Sequence, residues 1–163
     1  MHIWRYISIQ RVKQMKKLPY LLLVLVLFAS CASIQRSKDE RNIERISELI
    51  NTGQADKLFA MTELPFLLDQ EIILLDKDVR TFWSTIVEVG FKVEDPVLER
   101  GVKIGPDSYK EFYDSMEVRT FFNKYLKKQS RLLELKTNTG RRILLLVTDT
   151  LFTRTIHGFK GPY

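Results

Sequence analysis

The chain has 163 residues, 26 of them basic and 20 acidic, a formal charge of +6 and a single cysteine, Cys31. Five of the basic residues (Arg5, Arg11, Lys13, Lys16, Lys17) fall in residues 1–30, which hold no acid, so the remainder carries 21 basic and 20 acidic residues and is close to neutral. Interspersed charge of that kind excludes the electrostatic footprint of a nucleic-acid binder, and one cysteine excludes an internal disulfide framework or a thiolate metal cage.

Residues 1–14 contain Trp4, Tyr6, Arg5, Arg11 and Lys13, and read as an upstream extension of the true start. Met15, Lys16 and Lys17 open a secretory pattern: a positive start, an unbroken apolar run over residues 21–28, the small Ala29 and Ser30, then Cys31. Phe28, Ala29, Ser30 and Cys31 resemble a bacterial lipobox, with Phe28 departing from the usual Leu. The resemblance implies that residues 15–30 are a lipoprotein signal peptide. It also implies that Cys31 is acylated and becomes the mature N-terminus, held in a membrane of the bacterial envelope by its acyl chains. The outer membrane's periplasmic face or the cell surface is favoured over the inner membrane. Each buried methylene adds roughly 0.8 kcal/mol, so two or three chains anchor stably. An uncleaved signal anchor is the alternative, because the uncharged run spans residues 18–35, near the ~20 residues that a spanning helix needs.

Residues 31–39 are short, polar side chains for the most part and are expected to be a flexible tether. Residues 40–163 are long enough for one domain. From Glu40 the apolar Ile43, Ile46, Leu49 and Ile50 recur at helical spacing, and Gly53 suits a left-handed C-cap. A short helix over 54–61 turns Leu58, Phe59 and Met61 inward.

Two strands follow, over 65–68 and 71–75, around Asp69 and Gln70. A third helix, capped by Asp76 or Asp78, carries the stripe Val79, Phe82, Trp83, Ile86, Val87 and Val89. Residues 91–94 alternate like a half-buried strand that Pro96 interrupts, and residues 97–98 and 102–104 continue extended. Ser108 and Glu111 form a capping box that opens a fourth helix. Tyr109, Phe112, Tyr113 and Met116 share its apolar side, and Val118, Phe121, Phe122, Tyr125 and Leu126 extend the pattern beyond a kink.

The remainder reads as β structure. Residues 132–137 pair with 142–148 across Asn138, Thr139 and Gly140, and the five apolar residues 143–147 mark a central strand covered on both faces. A last strand spans 151–156, and His157, beside Gly158, is expected to be an exposed or hydrogen-bonded strand residue rather than a base.

The fold class is therefore α+β, with N-terminal helices packed on a curved, mainly antiparallel sheet and an extra helix before the last strands. That order resembles the NTF2-like superfamily, in which the sheet wraps the helices into a cone with an apolar cavity. Phe82, Trp83, Tyr109, Phe112 and Tyr113 would then line the pocket of an apolar small ligand, although core packing is the commoner use of such aromatics. Enzymes of that superfamily place an acid or His in the cone as general base, and the acids nearest the hairpin are Asp69, Glu71, Asp76 and Asp78. Asp69 at a turn, and Asp76 and Asp78 at a helix start, have structural reasons to be there.

No nucleophile motif, metal-ligand spacing or phosphate-binding glycine loop is present, so no catalytic residue, metal or cofactor is assigned. The expected function is a lipid-anchored envelope protein whose domain binds an apolar ligand or an envelope partner. A cone-cavity hydrolase or isomerase is the alternative.

Overall fold

The computed structural model describes residues 18–150 and 153–163, with side chains from residue 33 onward. The chain divides at Lys38 and Asp39 into two compact units. Of the first unit, helix is described from Leu18 onward; the expected extension over 1–14 and residues 15–17 of the signal lie outside the described residues. Among the described residues no helix is long and apolar enough to cross a membrane.

Helix α1 runs from Leu18 to Asn51 without a break. The expected flexible tether over 31–39 is therefore corrected: those residues are helical. The physical reason is visible in the sequence. No Gly or Pro occurs between Tyr20 and Thr52, and Pro19 stands in the first turn, where its missing N–H is tolerated. Thr52, Gly53 and Gln54 end the helix. The Gly53 N–H donates to Ile50 O and the Gln54 N–H to Leu49 O, with Gly53 at φ +71°, a Schellman cap.

The second unit, residues 39–163, is an α+β domain built on one six-stranded mixed sheet in the order β2-β1-β6-β5-β4-β3. After α2 (Ala55–Ala60) come β1 (Thr62–Leu68), β2 (Glu71–Ile73) and α3 (Asp76–Glu88). Next are β3 (Val97–Lys103), a 3-10 turn (Ser108–Glu111) and α4 (Met116–Tyr125). The chain closes with β4 (Arg131–Lys136), β5 (Arg142–Asp149) and β6 (Arg154–Lys160). Four of the five pairings are antiparallel; β6 enters between β5 and β1 and runs parallel to β1. The sheet is open, with β2 and β3 as its edges.

Both faces of the sheet are covered, because successive side chains of a strand point to opposite sides. Phe66, Leu133, Leu135, Ile143, Leu145, Val147, Ile156 and Phe159 face α1, α2 and α3. Those helices contribute Ile43, Ile46, Leu49, Ile50, Leu58, Val79 and Trp83. Leu67, Leu132, Leu144 and Leu146 face the other way, onto Tyr109, Phe112, Val118, Phe121 and Phe122 of the 3-10 turn and α4. β5 carries six consecutive buried residues, as its apolar run requires at the centre of a two-sided sheet.

Three expected elements move. Residues 91–94 form no strand; Asn51 instead clamps Val93, accepting from its N–H (2.8 Å) and donating to its carbonyl (2.9 Å). The fourth helix begins at Met116, because Ser115, not Ser108, accepts from a helical N–H, that of Val118 at 3.2 Å. The last strand is Arg154–Lys160 rather than 151–156, and residues 151 and 152 lie outside the described residues.

The start of the domain is held to the sheet by charge. Asp39, buried on α1, accepts from Arg131 of β4 at Nε (2.8 Å to Oδ1) and Nη2 (2.6 Å to Oδ2), and Arg131 also donates to Gly101 O on β3 (2.7 Å). One turn on, the buried Asn42 donates to Asp149 at 3.3 Å.

Candidate functional site

The five aromatics expected to line one pocket do not meet. Trp83 is fully buried on the α1–α3 side, stacked at 4.7–5.9 Å on Phe82 and Phe159, with its indole N–H donating to Thr62 Oγ1 at 3.0 Å. Tyr109 and Phe112 are buried on the opposite face against α4, and Tyr113 is 52% exposed. The pocket of Phe82, Trp83, Tyr109, Phe112 and Tyr113 is thus corrected to two filled cores and one surface ring. The sheet lies between them, because α4 covers the face that α3 does not.

The four candidate acids are all exposed. Asp69 braces the end of the chain: at φ +51° in the β1–β2 turn, its carboxylate accepts from the Gly161 N–H at 3.0 Å. Asp76 and Asp78 occupy the first turn of α3, where a carboxylate favours the helix dipole, and Glu71 begins the edge strand β2.

An open apolar groove of about 390 Å³ lies between β2 and α4, lined by Ile72, Leu74, Met116, Glu117, Thr120, Phe121 and Tyr125. Its construction follows from local sequence. Ile72, Ile73, Leu74 and Leu75 are four apolar residues in a row, more than a three-residue edge strand can turn inward. Leu74 is left 66% exposed. Opposite, the Ser115 cap sets the phase of α4. Val118, Phe121 and Phe122 turn into the core, while Met116 (69% exposed) and Tyr125 (37%) stay on the rim. Exposed apolar side chains scattered singly need no explanation; here three of them share one groove. Among the described residues Glu117 is the groove's only charged lining residue. The sequence reading missed this site because it turned Met116 and Tyr125 inward. The signal available was the unbroken apolar run over residues 72–75.

A second open pocket, about 350 Å³, is lined by Gly90, Phe91, Lys92, Glu94, Thr137, Asn138, Thr139, Arg141 and Pro162. Its walls are tied to each other and to the core: Asn138 donates to Glu94 at 2.8 Å, and Lys92 donates to Asn51 O.

Of the two places expected for His157, exposed or hydrogen-bonded in a strand, it takes the second: it is 2% exposed and stands inside β6. It is an extra residue in the ladder: Leu146 pairs with Gly158 and Val147 with Ile156, leaving His157 unopposed as a bulge. Its Nε2 lies 2.8 Å from Thr148 Oγ1, which lies 2.7 Å from Ser130 Oγ, which accepts from the Lys127 N–H at 3.0 Å. On its other side Nδ1 stands 4.0 Å from Glu63, whose carboxylate is 3.8 Å from Lys127 Nζ. Burial pushes the imidazole below its ordinary value; Glu63 opposes that shift and Lys127 adds to it.

Among the described residues no cluster of His, Cys, Asp and Glu could hold a metal. Cys31 falls within the backbone path of α1, and its thiol, hence the expected acylation, lies outside the described side chains. No family model, curated protein or solved structure matches the chain.

Proposed function

We propose that this chain is a lipid-anchored protein of a bacterial envelope, acylated at Cys31, whose α+β domain holds an apolar segment of an envelope partner in the groove between β2 and α4. The observation that carries the anchor is the order of Lys16 and Lys17, the apolar run 21–28, the small pair Ala29 and Ser30, and Cys31. The convergence of Leu74, Met116 and Tyr125 on one groove supports a partner's apolar segment as the bound group. The two aromatic clusters support a partner over a small ligand in a closed cone, since four of the five side chains expected to line such a cavity pack into the two cores and Tyr113 lies on the surface. The cone-cavity enzyme remains the alternative from another class; its requirement is a carboxylate inside a cavity.

The anchor is tested by feeding cells an alkyne-tagged fatty acid. The native chain takes up label and sediments with membranes, while Cys31→Ala stays unlabelled and accumulates as precursor. An intact mass showing a bare thiol at residue 31 with residues 15–30 still attached would overturn the anchor. The groove is tested by a photo-crosslinking residue at position 116, with position 97 as control, since Val97 is also exposed, at 61%. One discrete adduct at 116, absent at 97 and lost with Leu74→Asp, supports the groove. Equal adducts at both positions refute it.

A further inference from the structure

We propose that His157 is a proton-gated lock on the turn joining α4 to β4: when Nε2 takes a proton, the buried Thr148–Ser130 chain loses its terminal acceptor and the turn over residues 127–130 opens. The contacts admit either donor order along the chain, and the lock takes one of them. Ser130 Oγ accepts from the Lys127 N–H, and the Ser130 N–H donates back to Lys127 O at 2.9 Å, closing the turn. In that order the Ser130 hydroxyl proton points to Thr148 Oγ1, and the Thr148 proton to His157 Nε2. Nε2 is then bare, which puts the ring proton on Nδ1, toward Glu63.

A proton on Nε2 upsets this chain at one point. Nε2–H becomes a donor to Thr148. Whichever way the two hydroxyls rotate, the chain's three contacts then face four protons, and one hydroxyl proton is left without a partner in the chain. An unpaired buried hydroxyl costs far more than a lost surface bond. The strain must leave through the least restrained member. His157 and Thr148 sit in β6 and β5, the middle of the sheet, whereas Ser130 closes a turn. The charged groups facing the ring are Glu63 from β1 and Lys127 from the turn itself. A charged imidazole is drawn to the first and repelled by the second, so repulsion also acts on the turn. The lock is a property of the domain and does not depend on what occupies the groove.

The test is amide hydrogen exchange of the whole chain between pH 7.5 and 5, read as protection factors so that the intrinsic pH dependence of exchange cancels. In the native chain the protection of the Lys127 and Ser130 amides falls at least tenfold as His157 titrates, while amides of β5 keep theirs. In His157→Gln, whose amide oxygen can still accept from Thr148, turn protection is independent of pH. Ser130→Ala serves if that variant does not fold: the imidazole still titrates by NMR, and the turn is open at both ends of the range. Glu63→Gln moves the His157 titration to lower pH. Unchanged turn protection while the imidazole titrates, or the same fall in His157→Gln, overturns the proposal. So does a ring found protonated at Nε2 rather than Nδ1 at pH 7.5.

Discussion

The buried ion pair at the head of the domain gives the sharpest stability prediction. Asp39→Ala leaves the Arg131 guanidinium facing the space that the carboxylate filled, with Gly101 O as its remaining partner in the pair's environment. Removing one member of a buried pair costs about 3–5 kcal/mol, because the other charge stays desolvated. Asp39 is 2% exposed and Arg131 11%, so some water reaches the guanidinium and the expected loss lies near the lower end, about 3 kcal/mol. With a urea dependence of roughly 1–3 kcal/mol per molar, the unfolding midpoint drops by about 1–3 M. Replacing both members, Asp39→Leu with Arg131→Met, removes the stranded charge and restores most of the loss. Circular dichroism against urea on the full chain reads all three proteins. A single-variant loss under about 1 kcal/mol would place the pair with exposed ion pairs and refute the reasoning.

Trp83→Ala empties the centre of the aromatic cluster and is expected to cost about 3–5 kcal/mol in the same assay. Trp83→Phe gives up chiefly the bond to Thr62 and costs about 1 kcal/mol, so equal losses would refute the packing account. Gly158→Ala drives a methyl to 2.9 Å from Leu67 O and 3.0 Å from Leu146 Cδ1 at the parallel β1–β6 seam. It is expected to destabilise by about 1–3 kcal/mol, checked by the thermal midpoint. His157 titrates lower in the folded chain than unfolded, so its contribution to stability is complete above the unfolded value near 6.5. It is lost as pH falls through that value toward the folded one. Urea midpoints measured from pH 7.5 down to 5 decline in the native chain, and His157→Gln removes that part of the decline.

Elements whose evidence is local were legible in the sequence. The spacing of Ile43, Ile46, Leu49 and Ile50, the Gly53 cap, the stripe of α3 up to Val87 and the hairpin of β4 and β5 appear where periodicity and turn residues put them, while Val89 lies past the helix and is 71% exposed. So does the centrality of β5, which six buried residues in a row require. Boundaries failed where two local signals competed. Ser108 with Glu111 and Ser115 with Val118 are both capping patterns. The Gly105 N–H donates to Ser108 Oγ at 2.9 Å, so that hydroxyl caps no helix and the α-helix starts at the second site. The polar residues 31–39 read as a tether because few have apolar side chains to bury. They are helical because nothing in them breaks a helix, and because Asp39 gains a charge partner 92 residues away.

What the sequence could not display depends on which strand lies beside which. A hydrogen-bonded strand position is one of the two expected for His157, but its partners are not legible. Placing β6 between β5 and β1 brings the same ring against Thr148 and Glu63 from two neighbours that no local pattern links. The groove has the same origin. Leu74 and Met116 are 42 positions apart, and they line one surface because β2 is the sheet's edge and α4 crosses the face behind it. The parallel β1–β6 pairing also moves the aromatics. Phe159 is carried onto the α3 side to meet Trp83 and Phe82, while Leu67, next to Phe66 in the chain, points to Phe121's side. One non-local pairing therefore decides three things at once: that the aromatic clusters are two, that the histidine is interior, and that the apolar surface left exposed is at the β2 edge.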